Sequence, residues 1–90
     1  MTIKHIFVIG AGTMGNGIAQ VAATSGYDVS CMDVMPAALE KAKAAIGKST
    51  AKLLEKGILT EGQKASADNI RYVGDMSTMP DADFVIEAAT

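Results

Sequence analysis

Three glycines near the amino terminus have the spacing of a turn that binds phosphate. Gly10, Gly12 and Gly15 lie between a short apolar run and a stretch in which small residues recur at helical spacing. In such a turn the first glycine permits a tight bend, the second lets a pyrophosphate approach the backbone, and the third lets helix and strand pack closely. The free N–H groups at the helix start, around Thr13 and Met14, would face the phosphates. Because glycine supplies 9 of the 90 residues, an ordinary turn is the alternative for these glycines alone.

An acid at the end of the next apolar run strengthens this interpretation. Asp33 lies 18 residues beyond Gly15, close to the roughly 20 expected of a dinucleotide-binding unit. Its carboxylate can accept hydrogen bonds from both hydroxyls of an adenosine ribose and would repel a 2′-phosphate. Val34 and Met35 follow it and supply no arginine for such a phosphate. The pattern favours NAD over NADP, and FAD, whose domains use the same turn, usually with glutamate at this position, is the alternative.

A second group of candidate residues is basic. Five of the 8 cationic residues fall within one predicted helix, at Lys41, Lys43, Lys48, Lys52 and Lys56. The last three are spaced i, i+4, i+8, and Ser49 lies beside them, three residues before Lys52. Like charges at this spacing weaken a helix by roughly 0.2–0.5 kcal/mol per pair, so a bound anion would relieve them. The pattern is typical either of a solvated helix face or of a phosphate-bearing ligand that lies along the helix.

Alternating strands and helices must position these residues. The apolar runs predict strands over 3–9, 27–33, 70–73 and 83–88, and helical spacing predicts helices from the glycine turn to about 25, over 36–56 and from 61 to about 68. In the second strand Tyr27, Val29 and Cys31 alternate with Asp28 and Ser30. This order predicts a Rossmann-type α/β fold, a parallel sheet with right-handed crossovers. The chain would form only its first part, about four strands, with a long projecting helix after the second strand.

Local signals define the ends of the predicted helices. Gly26 and Gly57 are candidate C-terminal caps, and after Gly57 the side chain of Ile58 can pack back on the helix. Pro36 suits the first turn of the long helix, and Thr60 and Gln63 have the spacing of a capping box. The buried face of the long helix is predicted from one apolar stripe, formed by Leu39, Ala42, Ile46, Leu53 and Leu54.

Composition excludes several classes of protein. A net charge of −2 argues against bulk binding to nucleic acid or to an anionic membrane, and 49% hydrophobic residues argue against disorder. No apolar run approaches the roughly 20 residues of a membrane span. Cys31 is the single cysteine, so an internal disulfide and a cysteine-rich metal site are both excluded. Without a signal-peptide pattern, a reducing cytoplasm is the expected compartment.

The motifs together resemble a known family. The run Gly10–Gly26 (GAGTMGNGIAQVAATSG), Asp33, the lysine-bearing helix and the ending DFVIEAAT at 83–90 resemble 3-hydroxyacyl-CoA dehydrogenases over all 90 residues. Within that family, bacterial 3-hydroxybutyryl-CoA dehydrogenases look most similar. The resemblance implies NAD-dependent oxidation of a 3-hydroxyacyl-CoA to a 3-ketoacyl-CoA, or the reverse. It also implies that residues 1–90 are the N-terminal part of an NAD-binding domain, and that a helical domain beyond them forms a homodimer.

The resemblance also assigns residues. Ser49 and Lys56 match the serine and lysine that contact CoA in the family, with Lys52 as an addition, and Ala88 and Ala89 match positions that line the cofactor crevice. The family's catalytic histidine and its partner glutamate lie downstream, so we expect no catalytic residue within these 90 residues and no turnover by them alone. His5, the one histidine, lies at the amino end of the first strand and is expected to be a surface residue, because ligands bind at the carboxyl ends.

Two other functions fit the same residues. A related 3-hydroxyacid dehydrogenase would act on free acids, although that group usually has a shorter helix where this chain has 34–57. A non-enzymatic NAD-binding module is the other alternative, because fold does not fix function.

Overall fold

The computed structural model describes residues 3–88, which form four strands and three α-helices. The strands are β1 (His5–Ile9), β2 (Asp28–Met32), β3 (Arg71–Val73) and β4 (Phe84–Glu87). The helices are α1 (Thr13–Thr24), α2 (Pro36–Glu55) and α3 (Glu61–Asp68), and a 3-10 turn spans Met79–Asp81. Each predicted strand and helix is present, and the predicted strands extend one or two residues past the observed ends.

The four strands form one parallel sheet in the order β3-β2-β1-β4. In the pairing of β1 with β2, Ile9 lies opposite Met32. The carboxyl ends of these two strands therefore lie side by side, and the loops that follow them meet at one edge of the sheet. The glycine turn and Asp33 are brought together by this register, as the α/β prediction requires.

Glycine caps end the first two helices. Gly26 has a φ of 101°, and Gly57 has a φ of 76°, in the left-handed region that favours glycine. After α1, Gly26 N donates to Ala23 O at 3.1 Å and Tyr27 N donates to Ala22 O at 3.1 Å. This pair of hydrogen bonds is the Schellman motif, and the equivalent pair follows α2. Both predicted caps are confirmed.

The residue after the second cap departs from the prediction. Ile58 N donates to Leu53 O at 2.9 Å and so closes the motif. The side chain of Ile58, however, is 63% exposed instead of packing back on α2. The backbone bonds satisfy the last carbonyls of α2 by themselves, so the cap forms without a buried side chain at this position.

The capping box at the start of α3 is confirmed, and it also joins α3 to α1. Thr60 Oγ1 accepts a hydrogen bond from Gln63 N at 3.1 Å, and Gln63 Oε1 accepts one from Thr60 N at 2.9 Å. Gln63 Nε2 then donates to Thr24 O at 3.3 Å, at the carboxyl end of α1. One side chain therefore caps one helix and satisfies a terminal carbonyl of another.

The helices cover the sheet with small and branched side chains. Ala19, Ala22 and Ala23 of α1 are buried, so this face of small residues lies close to β1 and β2. Along α2, the buried residues are Ala42, Ile46 and Thr50. The predicted stripe is therefore fully buried only in its middle: Leu39 at one end and Leu53 and Leu54 at the other are half-buried.

The alternation of polar and apolar residue types along β2 is not matched by an alternation of burial. Val29 and Cys31 belong to the core beneath the helices, and Ser30 and Met32, which point to the opposite face, are also buried. Ser30 tolerates burial because its Oγ lies 3.1 Å from Nε2 of His5 on the neighbouring strand. Pairing across the sheet, which polarity along the strand does not reveal, supplies the partner of this hydroxyl.

Candidate nucleotide-binding site

The glycine turn brings the end of β1 against the start of α1. Gly10 has a φ of 101°, and its N–H donates to Met32 O at 2.7 Å, which ties the turn to the end of β2. A Cβ added at Gly15 would lie 1.7 Å from the carbonyl oxygen of Gly10. Only glycine fits there, so the roles predicted for the first and third glycines are confirmed by the geometry.

The amino end of α1 presents unused hydrogen-bond donors. Gly12 is the residue before the helix, and the first intrahelical bond runs from Asn16 N to Gly12 O at 2.8 Å. The N–H groups of Thr13, Met14 and Gly15 therefore have no acceptor within α1. No acidic side chain lies in the first turn of α1, and no side chain caps it. The helix dipole and these donors together favour an anion at this position.

Gly12 leaves the approach to these donors open. A Cβ added at Gly12 would meet no atom within 4 Å, and its φ of −68° suits any residue. Neither folding nor backbone conformation therefore requires glycine at this position. An open surface beside three free N–H groups fits the predicted need for a pyrophosphate to approach the backbone.

Asp33 is held between the two loops at the carboxyl edge. Its Oδ2 accepts a hydrogen bond from Ala11 N at 3.0 Å, and its Oδ1 accepts one from Met35 N at 2.9 Å. These backbone hydrogen bonds, that from Ala11 first, hold the pKa of the Asp33 carboxyl below its ordinary value. The group is thus ionised at neutral pH. Each oxygen keeps lone pairs for a further donor, such as a ribose hydroxyl.

An apolar pocket lies beside Asp33. Its volume is about 170 Å³, and its walls are formed by Ile9, Gly10, Met32, Asp33, Val34 and Met76. Val34 and Met76 are 72% and 43% exposed, so their side chains are accessible at the rim of the pocket. Sequence reasoning missed Met76, because it lies 43 residues beyond Asp33 in a loop without a motif. An apolar wall beside the carboxylate predicted to bind a ribose suits a flat base such as adenine.

The fourth strand ends at the same edge. Ala88 is buried, and its N–H donates to Ile9 O at 2.7 Å, directly before the glycine turn. Ala89, the other predicted crevice residue, lies outside the described residues. The structure thus brings the following predicted cofactor residues to one edge of the sheet: Gly10, Gly12, Thr13, Met14, Gly15, Asp33 and Ala88.

The lysine-bearing helix forms a separate surface. Lys48, Lys52 and Lys56 are exposed, and within residues 3–88 no lysine from 41 to 56 makes an ion pair. Residues 36–56 carry five lysines against two glutamates, a local charge of +3. Ser49 is half-buried and accepts a hydrogen bond from Gln20 Nε2 at 3.0 Å. Both earlier interpretations, a solvated face and an anion-binding face, are consistent with this exposure.

His5 lies far from this edge, as expected, but it is not a simple surface residue. Its ring is half-buried, and Nε2 lies 3.1 Å from Ser30 Oγ and 3.1 Å from Arg71 Nη2. Arg71 also pairs with Asp28 at 3.1 Å. His5 therefore belongs to a polar network that joins three strands at their amino ends.

The described residues contain neither a candidate metal site nor a candidate membrane-spanning helix. Across residues 3–88, no three histidine, cysteine, aspartate or glutamate side chains are grouped as a metal site would need. None of the helices in the described part of the chain has both the length and the apolar character that a membrane crossing needs.

Comparison with known proteins gives one consistent result. Residues 5–90 match the family model described as "3-hydroxyacyl-CoA dehydrogenase, NAD binding domain". A probable 3-hydroxybutyryl-CoA dehydrogenase of Deinococcus radiodurans is 47% identical over 81 residues, which are 90% of this chain and 29% of that protein. The 3-hydroxybutyryl-CoA dehydrogenase of Bradyrhizobium diazoefficiens is 42% identical over 88 residues, 97% of this chain and 30% of that protein.

A solved structure agrees with the sequence relatives. The (S)-3-hydroxybutyryl-CoA dehydrogenase PaaH1 from Ralstonia eutropha has a TM-score of 0.89 and 42% identity, and the match covers 99% of this chain and 32% of that chain. The lactate dehydrogenase of Cryptosporidium parvum, at 21% identity and a TM-score of 0.68, shares the fold alone. The chain spans about three-tenths of the length of the curated relatives that it matches.

Proposed function

Because the chain belongs to the 3-hydroxyacyl-CoA dehydrogenase family as its NAD-binding domain, we propose that it supplies the cofactor site of an enzyme that oxidises a 3-hydroxyacyl-CoA. The product would be a 3-ketoacyl-CoA, and the enzyme could equally run the reverse reduction. The relatives that are 3-hydroxybutyryl-CoA dehydrogenases make a four-carbon acyl group the first substrate to test. Such a reaction belongs to fatty-acid metabolism.

The fixed carboxylate of Asp33 is the observation that carries the proposal. Bound NAD supplies a nicotinamide that accepts or returns the hydride. This chain would hold the other half of the cofactor, with the ribose on Asp33 and the pyrophosphate on the N–H groups at the start of α1. The two backbone donors to Asp33 fix both of its oxygens before the cofactor arrives. A preorganised acceptor loses little conformational entropy on binding.

A titration with NADH, followed by its fluorescence, tests this assignment. We expect Asp33→Ala to weaken NADH binding at least about tenfold, because it removes two hydrogen bonds to a charged acceptor. Asp28→Ala is the matched control: it changes the same residue type at the amino end of β2, beside Arg71, whereas Asp33 follows the carboxyl end of that strand. Equal affinity of the Asp33 variant and the unmodified protein would remove Asp33 from the cofactor site.

We also propose that residues 1–90 are the N-terminal part of a longer domain. The threefold greater length of the relatives supports this. So does an open apolar groove of about 640 Å³ beside β4 and α1, whose walls include Met14, Ile18, Val21, Tyr27 and Ile86. Further chain that packs there would contribute the catalytic residues and a dimerisation domain, so we expect these 90 residues alone to show no turnover. Intact mass of the native protein tests its length.

The second half of the proposal concerns CoA. Ser49, Lys52 and Lys56 would contact the CoA moiety, and the local charge of +3 on residues 36–56 supports an anionic ligand there. Lys56→Glu should raise KM for acetoacetyl-CoA without changing the affinity for NADH. Lys41→Glu makes the same charge change 15 residues earlier on α2, roughly 22 Å away along the helix, and should have a smaller effect. Both variants are measured in the full-length enzyme, and an unchanged KM in the Lys56 variant would remove Lys56 from the proposed CoA site.

We place the protein in a reducing cytoplasm. The single cysteine, Cys31, is fully buried and forms no disulfide, and the balanced charge supports neither a nucleic acid nor a membrane as partner. Fractionation of cells followed by NADH-dependent acetoacetyl-CoA reduction in each fraction would test the compartment.

A further inference from the structure

One side-chain hydrogen bond joins the helix at the cofactor edge to the lysine-bearing helix. Gln20 Nε2 of α1 donates to Ser49 Oγ of α2 at 3.0 Å, across 29 residues of sequence. Both side chains are half-buried. Within residues 3–88 it is the one side-chain to side-chain hydrogen bond between these two helices. Neither the glycine turn nor the lysine-bearing helix requires this hydrogen bond, so the bond calls for a separate explanation.

The direction of this bond decides what the hydroxyl of Ser49 can do. An amide nitrogen is a donor only, so the oxygen of Ser49 accepts and its proton is not used on Gln20. Three other helical hydroxyls, those of Thr24, Thr50 and Ser66, donate their protons to a carbonyl of their own helix. Thr50 Oγ1 donates to Ile46 O at 2.7 Å, and Thr24 Oγ1 donates to Gln20 O at 3.0 Å.

Ser49 makes no such bond in the described part of the chain. Hydrogen bonds back to the carbonyl three or four residues earlier are the common alternative for serine in a helix. Gln20 occupies the oxygen from the side of α1 and leaves the proton available to a ligand. The neighbours of Ser49 on the helix surface are Lys52 at i+3 and Lys56 at i+7, the residues that would bind an anion.

We propose that Gln20 is a positioning residue for the acyl-CoA substrate: it orients the Ser49 hydroxyl to donate to an acceptor oxygen of the CoA moiety. This rests on the proposed CoA-binding function. Gln20, on α1, would itself touch neither substrate nor cofactor. It also gives the cofactor helix a direct influence on the substrate-binding face of α2.

A double-mutant cycle in the full-length enzyme tests this, with acetoacetyl-CoA binding measured by calorimetry. Gln20→Met keeps the length of the side chain and removes its donor. We expect it to weaken acetoacetyl-CoA binding about fivefold, the effect of one neutral hydrogen bond, and to leave NADH affinity unchanged. In a Ser49→Ala background the same change should have no effect on binding.

Gln20→Glu replaces the hydrogen-bond donor that faces Ser49 with an acceptor. A carboxylate accepts only, so it would draw the Ser49 proton inward, and acetoacetyl-CoA binding should weaken about tenfold or more. The Ser49→Ala background separates this effect from simple repulsion by the added charge. Circular dichroism of each variant shows whether the helices remain folded.

The outcomes separate the two proposals. If Ser49→Ala weakens acetoacetyl-CoA binding but Gln20→Met does not, the role of Gln20 is overturned and the CoA site stands. An equal loss from Gln20→Met with and without Ser49 would also overturn it, because the effect would not pass through the hydroxyl. If neither Ser49→Ala nor Lys56→Glu changes binding, the CoA site itself fails.

Discussion

Replacing Gly15 with alanine tests the close approach of β1 and α1. The added Cβ would lie 1.7 Å from the carbonyl oxygen of Gly10 and 2.6 Å from its carbonyl carbon. Both are backbone atoms in a turn held by the hydrogen bond from Gly10 N to Met32 O. To restore even 3.0 Å, the helix and the turn would have to separate by about 1.3 Å.

The effect of Gly15→Ala on the free energy of unfolding is the balance of two opposing contributions. Alanine is favoured over glycine inside a helix by roughly 0.5–1 kcal/mol. Overpacking that forces the backbone to move costs typically about 1–3 kcal/mol, and a clash with fixed backbone belongs at the upper end. We therefore expect Gly15→Ala to lower the free energy of unfolding by about 2 kcal/mol and also to weaken NADH binding, since the displaced turn carries the phosphate donors.

Urea unfolding followed by circular dichroism measures the stability, with two matched controls. Gly47→Ala places the same methyl group in the middle of α2, where it meets no atom within 4 Å, and should raise stability by up to about 1 kcal/mol. Gly12→Ala should cost at most about 1 kcal/mol, because its Cβ meets no atom either and only the preference for glycine over alanine before a helix is lost. It should nevertheless weaken NADH binding, since the methyl group would occupy the approach to the helix start.

A Gly15→Ala protein that is as stable as the unmodified one and binds NADH normally would refute the steric role of Gly15. An equal loss of stability in Gly12→Ala and Gly15→Ala would refute the distinction between the two glycines, because Gly12 would then be a folding requirement and not an opening for the cofactor.

Three further predictions concern other parts of the molecule. Burial first, and the charge of Asp33 second, raise the pKa of the Cys31 thiol to about 11. Alkylation of Cys31 at pH 8 should therefore be about 100-fold slower in the folded protein than in the unfolded chain. Equal alkylation rates in the two states would contradict this prediction. Because the pKa of Asp33 is lowered in the folded protein, its charge stabilises the fold above pH ~3.9, and this contribution disappears as pH falls through the folded pKa. The carboxylate stays charged at higher pH, so NADH affinity should be constant from about pH 5.5 to 8. A change in NADH affinity within that range would contradict this prediction. Thr60→Ala should cost about 1 kcal/mol in urea unfolding by removing the cap, whereas Ser66→Ala in the same helix, where the hydroxyl donates to Gly62 O, should be neutral.

Local chemistry made much of the fold predictable. Gly26, Gly57 and the capping box at Thr60 act within a few residues of themselves, so the sequence alone locates the helix ends. The register of a parallel sheet then brings the loops after β1 and β2 together by a general rule. For these reasons the glycine turn and Asp33 could be assigned to one edge without coordinates.

What could not be predicted depends on partners far along the chain. The burial of Ser30 could not be read from the strand itself, because its partner His5 lies on another strand, 25 residues away. Met76 completes the pocket from a loop that carries no motif. The hydrogen bond from Gln20 to Ser49 depends on how two helices pack, and spacing within either helix contains no information about it.

The carboxylate of Asp33 also ties the assembly of the site to strand pairing. Its bond from Met35 N lies within the loop after β2, whereas its bond from Ala11 N reaches the loop after β1, so the second bond forms only when β1 and β2 have paired. A newly synthesised chain therefore gains affinity for its cofactor only when this pairing is achieved. Cofactor at 100 times its dissociation constant then adds about 2.7 kcal/mol to the stability of the paired state. Bound cofactor would in this way favour the pairing of β1 and β2 as well as fill the site.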